Sequence, residues 1–333
     1  MATLKKILSN LIILITITNC VEHKIRISVE PNGSFKYSHL IEGDKDDILN
    51  LDYPIPESSD WIIKNNLNNL TEPYFYSFEK KFNENQTLPN NFYNDDSIRK
   101  DILLNHKMNL DYKNRLIYEY YNFNFSFEGR DAKEKYPILH SFIQNQEQAP
   151  QGWVHNGLSY IFNQAIIESN IGFNIKNIIS LAINDWLNII KRNYDNESLQ
   201  ENFEFIKMDG IEIVKKHLID DSIENFIILL TKFEQETRIT IDLADDIFEL
   251  YLFLPGFYYE TNADSIFNDT LLWRFSGIDF ADKDYQLIAR SSIYHKSRFH
   301  WTIVSIMLIV TFITLYWITR NVPDPLKTTK NSN

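Results

Sequence analysis

Four pairs of adjacent aspartates supply carboxylates of the kind that acid–base catalysis or calcium binding requires. These pairs are Asp46-Asp47, Asp95-Asp96, Asp220-Asp221 and Asp245-Asp246. Adjacent residues on a strand point to opposite faces, so such pairs seldom converge on one substrate or ion. A further run, residues 279–284, has three aspartates but lacks the glycine and the final glutamate of an EF-hand calcium loop. We therefore interpret these acids as solvated loop residues and assign no catalytic residue.

Histidines give no stronger signal for a metal or catalytic site. The chain has eight, at His23, His39, His106, His140, His155, His217, His295 and His300. No two lie four residues apart on a central helix, and the chain has no H-E-x-x-H, G-x-S-x-G, P-loop or G-x-G-x-x-G motif. The sequence therefore predicts no metal ion and no cofactor. A hydrolase with dispersed acidic residues is kept as an alternative function.

Cys20 is the one cysteine of the 333-residue chain, and its position predicts a lipid anchor. A lysine pair precedes an apolar run over residues 7–17, which is the layout of a secretory signal. We predict a signal peptide over residues 1–19, with Cys20 as the acylated first residue of a lipoprotein. Asn19 stands where bacterial lipoboxes favour Gly, Ala or Ser. An ordinary cleaved signal and an uncleaved anchor therefore stay open as alternatives.

A second apolar segment, near the C-terminus, is long enough to cross a membrane. Residues 301–318 carry no charge, and ten of these eighteen residues are Leu, Ile, Val or Phe. At roughly −0.3 to −0.6 kcal/mol each, the ten favour insertion by about 3–6 kcal/mol. We predict a transmembrane helix over residues 300–319 and a cytoplasmic tail over residues 320–333. Because the signal enters the membrane first, the bulk of the chain is predicted to be extracytoplasmic, in the periplasm or on the cell surface.

The charge of the chain limits the partners that it can bind. Its 45 acidic residues outnumber its 33 lysines and arginines, which gives a formal net charge of −12. An acidic surface is repelled by the phosphates of nucleic acid, and it disfavours a chain that lies flat on anionic lipid. We therefore expect no nucleic-acid partner. The membrane is the expected partner, together with a lipid or a protein of the cell envelope.

Alternating apolar and polar residues predict strands in two parts of the chain, residues 20–136 and 235–295. Residues 24–29 and 34–41 flank an Asn-Gly turn, the strongest short signal for a hairpin. Residues 102–112 and 115–127 predict a long second hairpin. Its second arm has the period of two that marks a strand with one buried face. One side carries Tyr118, Tyr120, Asn122, Asn124 and Ser126, and the other carries Glu119, Tyr121, Phe123, Phe125 and Phe127.

Between these parts, residues 137–234 predict a helical insertion of four or five helices. Apolar residues recur at helical spacing over residues 158–169 and 175–190. We expect the strand pattern to resume at residues 237–243. The order of strands, helices and strands predicts an α+β fold, in which one mostly antiparallel sheet carries a helical insertion or a helical layer.

Aromatic residues are the more suggestive class for ligand binding. The chain has 18 Tyr, 23 Phe and 6 Trp, many of them in predicted strands. A curved sheet with helices across it can hold an acyl chain or an apolar peptide. We predict an apolar groove lined by Tyr74, Tyr76, Phe78, Tyr121, Phe123 and Phe125, although the same rings would also serve as an ordinary core.

Two stretches together resemble the LppM-like group of bacterial membrane-anchored lipoproteins. The first is a V-x-P-x-G-S hairpin, which here has Pro31, Gly33 and Ser34. The second joins the patterns PG-x-x-x-x-TNA and N-x-T-x-x-W-x-F, which here have Pro255, Gly256, Thr261, Asn262, Ala263, Asn268, Thr270, Trp273 and Phe275. The match covers these turns and strands and the two anchors, and it leaves out the helices. The resemblance implies a periplasmic or cell-surface α+β domain that binds lipid.

The sequence therefore predicts a non-enzymatic, membrane-anchored protein of the cell envelope that binds a lipid or another envelope component. One alternative is a structural or assembly factor whose helical insertion docks a partner protein. An enclosed aromatic cavity would favour the first function, and a large exposed apolar patch on the helices would favour the second. Carboxylates that converge in a cleft would favour the hydrolase.

Overall fold

The structure of the chain is a computed structural model that describes residues 21–45, 48, 53, 55–56, 59–67, 74–84, 86–89, 104–145, 150–218 and 220–321. The predicted signal peptide, the predicted lipidation site at Cys20 and residues 322–333 of the predicted tail lie outside these residues. Most of the two β-rich parts and of the helices between them lies inside.

The described residues form eleven strands. Six precede the helices, namely β1 (Glu22–Val29), β2 (Phe35–Gly43), β3 (Ile62–Asn65), β4 (Tyr74–Phe82), β5 (His106–Asn114) and β6 (Tyr118–Phe127). Five follow the helices, namely β7 (Ile247–Phe253), β8 (Phe257–Thr261), β9 (Ser265–Phe267), β10 (Thr270–Ser276) and β11 (Tyr285–Tyr294). Both predicted hairpins, β1–β2 and β5–β6, are confirmed as antiparallel pairs.

These strands make two sheets, where the sequence predicted one. The larger sheet has the order β3-β4-β2-β1-β7-β10-β9 and the smaller sheet the order β5-β6-β11-β8. Only β1 and β7 pair in parallel among these neighbours. The prediction of one sheet was wrong because a period of two indicates which face is buried, but not what covers it. Each sheet joins strands from both sides of the helices, so the α+β fold with mostly antiparallel strands and a helical insertion is confirmed.

The apolar faces of the two sheets pack against each other. The inward side chains of β6 alternate as predicted, and all five are buried. The ring of Phe127 on β6 lies 5.6 Å from Phe248 and 5.1 Å from Phe275, which belong to the larger sheet. The core between the sheets is thus largely aromatic.

Residues of the PG-x-x-x-x-TNA and W-x-F motifs hold the two sheets together. Gly256 has a φ of 90°, and a Cβ at this position would lie 2.3 Å from the carbonyl oxygen of Ser292. The side chain of Asn262 accepts a hydrogen bond from the indole of Trp273 (3.0 Å) and donates one to the carbonyl of Gln286 (2.8 Å). Because Trp273 lies in the larger sheet and Gln286 in the smaller, this one amide links both.

Eight helices lie among the described residues, seven between β6 and β7 and one after β11. They are α1 (Ala132–Lys135), α2 (Pro137–Gln144), α3 (Trp153–Glu168), α4 (Phe173–Asn193), α5 (Asn196–Glu201), α6 (Phe203–Lys215), α7 (Asp220–Asp242) and α8 (Lys296–Asn321). Local signals set some of their ends. A proline begins α2, and the carboxylate of Asp195 caps α5 by accepting a hydrogen bond from the Ser198 amide at 2.9 Å.

Helix α7 continues to Asp242, so the predicted strand over residues 237–243 is wrong. The β-branched residues there favour strands by local preference. In the structure, the hydroxyls of Thr237 and Thr240 donate to carbonyls four residues earlier, and Ile239 is buried. Burial of the apolar face of α7 outweighs the local preference. The expected end of the insertion at residue 234 therefore falls inside a helix.

The helices have a core of their own, and they meet the sheets through close backbone contacts. Phe162 of α3 lies 5.3 Å from Trp186 of α4 and 6.3 Å from Phe226 of α7. Where the helices meet the sheets, a Cβ on Gly277 would lie 1.6 Å from the carbonyl oxygen of Leu243. The two parts therefore touch backbone to backbone.

Helix α8 leaves the smaller sheet directly, with only His295 between β11 and the helix. Among the described residues, it is the one helix that is long and apolar enough to cross a bilayer, and its apolar stretch is fully exposed. It includes the predicted span over residues 300–319 and begins four residues earlier.

Candidate ligand-binding site

An apolar cleft of about 270 Å³ opens among the helices of the insertion. One side consists of Leu139 from α2 with Leu158 and Ile161 from α3, all buried. The other side is formed by α7, which contributes Thr237 and Ile241. An apolar cavity of about 150 Å³ can hold benzene. The cleft therefore has room for a larger apolar group.

Part of this space is open because α3 lacks a side chain at Gly157. A Cβ added there would lie 3.6 Å from Leu139 and 3.7 Å from Thr237, which are ordinary contacts. Alanine would therefore fit, and a longer side chain would enter the cleft. Trp153, four residues earlier on α3, stacks on Phe142 at 4.1 Å, which fixes its indole at the wall.

Ion pairs order the rim of the cleft. The carboxylate of Glu234, almost buried, lies 2.8 Å from Lys207 Nζ and 2.8 Å from Arg238 Nη2. Glu204 pairs with the same two cations at 2.6 and 3.2 Å. Burial acts to lower the pKa of Lys207, but the hydrogen bonds that Lys207 donates to both glutamates outweigh burial and raise that pKa. Two carboxylates thus balance two cations, and the rim presents no net charge to a ligand.

The same cations hold an aromatic ring at the mouth. Lys207 Nζ lies 5.7 Å from the centre of the Phe203 ring, and Arg238 Cζ lies 5.4 Å from it. Cation–π contacts of this kind stabilise a partly exposed ring. The site therefore has an apolar interior and an ordered polar rim, which is the usual composition of a small-molecule pocket.

The predicted groove residues lie elsewhere. Phe78 on β4 and three residues on β6, Tyr121, Phe123 and Phe125, are buried in the core between the sheets. Tyr74 and Tyr76 on β4 are partly exposed, and Tyr76 packs against the same core. The four buried rings face other side chains rather than open space. The aromatic pattern therefore identified the buried face of each sheet, and it missed the cleft.

A chain of polar groups runs through the core of the larger sheet. Nδ1 of His23 lies 3.1 Å from Nε2 of His39, and Nε2 of His23 lies 3.3 Å from the Asp246 carboxylate. The hydroxyl of Tyr37 lies 3.3 Å from Nδ1 of His39. No sequence motif connects these histidines. The signal that could have done so is their place on the inward-facing positions of β1 and β2.

Burial keeps His39 and His106 neutral. Desolvation lowers the pKa of His39 well below its ordinary value, and the neighbouring His23 and His106 lower it further. Desolvation also lowers the pKa of His106 to about 3, although a hydrogen bond to the Pro89 carbonyl opposes it. These side chains are almost fully buried. We therefore interpret the histidines as part of the folded core rather than as catalysts.

Acidic residues form no metal site in the part of the chain that the structure describes. A small polar pocket of about 120 Å³ contains Glu128, Asp131 and Glu236. Glu236 is paired with Lys135 at 2.6 Å, and Glu128 accepts a hydrogen bond from Asn105 at 2.9 Å. These partners favour a structural role for the carboxylates over the dispersed catalytic site of a hydrolase.

Comparisons with known proteins offer no relative from which the site could be interpreted. The chain matches no protein-family model, no curated protein and no solved structure. The resemblance to the LppM-like group therefore stays a prediction that rests on its motifs. The cleft has to be understood from its own residues.

Proposed function

We propose that this protein is a membrane-anchored extracytoplasmic protein that binds a lipid acyl chain, or a similar apolar group, in the cleft of its helical insertion. The observation that carries the proposal is the cleft of about 270 Å³ with its apolar walls. Helix α8 supports the proposal of a membrane anchor because its length and composition suit a membrane span. The predicted signal peptide supports export, and Cys20 would supply a second anchor.

The chemistry of the walls supports an apolar ligand over a charged one. Leu, Ile, Val, Trp and Phe make up seven of the twelve lining residues, and their side chains cannot replace the water around a charged group. The four charges near the rim already pair with one another. An uncharged body or an acyl chain can enter without breaking these pairs.

Photocrosslinking tests the proposal on the full chain in phospholipid nanodiscs. A long-chain fatty acid with a diazirine on its chain is added, irradiated and mapped by mass spectrometry. We expect labels on α3 and α7 at the residues that line the cleft, such as Val154 and Ile241. Labels on α8 are also expected, because that helix would lie in lipid, and they say nothing about the cleft.

Two matched glycine variants make the result specific. Gly157→Leu fills the cleft and should abolish the labels on α3 and α7. Gly172→Leu makes the same change at a position with no atom within 4 Å of an added Cβ, and should leave these labels in place. Wild-type protein that is labelled on α8 alone would overturn the binding proposal.

A second candidate function, docking of a partner protein by the helical insertion, rests on the outer face of α4. Ile178, Leu181 and Ile189 on this helix are exposed, while Ile179, Ile183 and others on its opposite face are buried. Exposed apolar residues in such a row suit a protein contact.

A photoreactive amino acid at position 181 tests this function in cells that make the protein. A partner predicts one crosslinked product of discrete mass, which Ile178→Asp should abolish. The same amino acid at Lys107, on the exposed face of β5, serves as the control. Equal products at positions 181 and 107 would count against docking through α4.

A further inference from the structure

Exposed apolar side chains lie beside the start of α8, at one end of the strands of the smaller sheet. We call this end of the sheet its edge. At this edge β6 begins, β8 begins and β11 ends, because Tyr294 pairs with Tyr118 and Ser292 pairs with Phe257. The loop between β5 and β6 is also there, since the amide of His295 donates to the Ile117 carbonyl at 2.9 Å. We call the exposed apolar residues of this edge the edge patch, namely Leu116, Tyr118, Phe257, Tyr294 and Phe299.

The edge patch is continuous with the helix. Phe257 is 77% exposed and Leu116 is 68% exposed. The ring of Tyr294 lies 5.2 Å from Tyr118 on one side and 6.0 Å from Phe299 of α8 on the other. A row of aromatic rings thus runs from the sheet onto the first turns of the helix.

The outer face of β6 changes character along its length. Near the helix it presents the tyrosines Tyr118 and Tyr120, whose rings lie 5.8 Å apart. Farther from the helix it presents Asn122, Asn124 and Ser126. Aromatic residues concentrate where a protein meets the boundary between membrane and water. The aromatic end of the outer face of β6 therefore lies on the side of the sheet where α8 begins.

The length of chain between sheet and span leaves little room for a gap. Trp301, where the uncharged segment begins, lies five positions after Lys296, and in a helix five positions rise about 8 Å. The headgroup region of each leaflet is roughly 5–8 Å thick, given a hydrocarbon core of about 30 Å in a bilayer of about 40–45 Å. If α8 spans, the edge of the sheet lies at the headgroups.

Charge at this edge departs from the acidity of the whole chain. Lys113 and Arg115 lie at the end of β5 and in the following loop, and Lys296 and Arg298 lie in the first turn of α8. Lys113 pairs with Asp111 and Arg298 pairs with Glu119, so Arg115 and Lys296 supply the excess positive charge. The chain as a whole has a formal charge of −12. Basic side chains beside tyrosine, phenylalanine and leucine are the composition of a surface that meets lipid headgroups.

We infer that the edge patch rests in the headgroup layer of the membrane that α8 crosses, so that the smaller sheet is a membrane-contacting surface. The inference depends on the proposed span of α8 and adds a second contact to it. Leu116 and Phe257 are the side chains that enter the lipid interface. The lipid surface is the occupant, and no partner protein is required at this edge.

Fluorescence quenching in nanodiscs tests the inference on the full chain. Cys20→Ser removes the native thiol, and single cysteines at positions 116 and 257 carry a bimane fluorophore. Nanodiscs contain phosphatidylcholine and phosphatidylserine, with a nitroxide either on the headgroup or on the acyl chain. Phe173→Cys on α4, where the native side chain is 76% exposed, is the matched control. Val310→Cys reports on the span itself.

We expect the headgroup nitroxide to remove most of the fluorescence at positions 116 and 257 and to leave position 173 unchanged. The acyl-chain nitroxide should quench position 310. If 310 is quenched while 116 and 257 behave like 173, the edge patch does not touch the membrane and the inference fails alone. If position 310 is not quenched, the proposed span is wrong, and the inference that depends on it is wrong as well. All four positions are exposed in the structure, so the labels leave the cores intact.

Discussion

His39 and His106 make the stability of the fold depend on pH through single residues. Burial lowers the pKa of both side chains below the value of about 6.5 that a histidine has in an unfolded chain. The unfolded chain therefore binds more protons than the folded chain as the pH falls below 6.5. The contribution of these neutral side chains to the free energy of unfolding is therefore fully present above this pH and decreases as the pH falls.

We expect each of the two histidines to remove about 1.4 kcal/mol from the free energy of unfolding for every pH unit from 6 down to the pKa of its folded side chain, which for His106 is about 3. Urea titration of the full chain in detergent micelles, followed by tryptophan fluorescence, measures this slope. His106→Phe keeps a ring stacked between Tyr53 and Phe125 and removes one proton site. The carboxylates titrate equally in the wild type and in the variant, so the free energy of unfolding of the variant should decrease less steeply as the pH falls. Identical slopes would contradict the argument.

Gly277 is a residue at which one added methyl group should damage the fold. An alanine Cβ would lie 1.6 Å from the Leu243 carbonyl oxygen and 2.4 Å from its carbonyl carbon, and backbone atoms cannot swing aside. We expect Gly277→Ala to cost about 3 kcal/mol or more, the upper part of the range for overpacked sites. Urea titration gives the value. Gly172→Ala meets no atom within 4 Å, and because Gly172 only caps the start of α4, the change should cost no more than about 1 kcal/mol.

Among the strands and helices, the sequence predicted those that are specified by a local pattern of residues. The hairpins β1–β2 and β5–β6 have a turn and a period of two within a short stretch, and both are confirmed. The end of α7 was not predictable in this way, because Ile239 and Thr240 favour a strand until the packing of the helix is known. The cleft was missed for a similar reason, since Gly157 and Thr237 are 80 residues apart in the chain.

Arg130 explains why the last turns of α7 stay helical. Its buried guanidinium donates to the hydroxyl of Thr240 at 3.0 and 3.1 Å and to the carbonyl of Glu236 at 3.2 Å. These bonds join the end of β6 to the C-terminal part of α7. A cation near the C-terminus of a helix also complements the helix dipole.

We expect Arg130→Met to lower the free energy of unfolding by about 2–3 kcal/mol, because charged hydrogen bonds of this kind are lost. Hydrogen exchange of the amides at residues 239–242 should become faster than in the wild type. Arg290→Met removes an exposed ion pair with Glu260 and should cost under about 1 kcal/mol. If both variants lose equal stability and the exchange is unchanged, Arg130 does not hold α7.

At the scale of the whole molecule, both sheets are built from distant parts of the chain. Residues 22–28 pair with residues 247–253 in the larger sheet, and residues 118–127 pair with residues 285–294 in the smaller. The order of elements predicted that the helices interrupt a β-rich unit. It did not predict that the strands divide into two sheets, because pairing between distant strands leaves no local pattern in the sequence.

Glu119 is the point at which the smaller sheet and helix α8 are joined. Its buried carboxylate lies 3.1 Å from Arg298 and 3.0 Å from Nε2 of His295, which is too poorly aligned for a hydrogen bond. Arg298 also donates to the side chain of Asn114 at 2.9 Å. These contacts tie the first turn of α8 to the hairpin β5–β6 and oppose changes in the angle between the sheet and the helix.

We expect Glu119→Gln to loosen this junction without unfolding either core, because the charge that holds Arg298 is lost while the size of the side chain is kept. Nitroxides at Asn124 and at Ile318, in a Cys20→Ser background, report the distance between sheet and helix by pulsed electron paramagnetic resonance in nanodiscs. The distribution should be narrow in the parent and broad in the variant. Glu260→Gln, which breaks an exposed pair with Arg290, should leave it narrow. Broad distributions in the parent and in both variants would mean that the sheet is not held at a fixed angle to α8. Lipid contact alone would then have to keep the edge patch at the membrane.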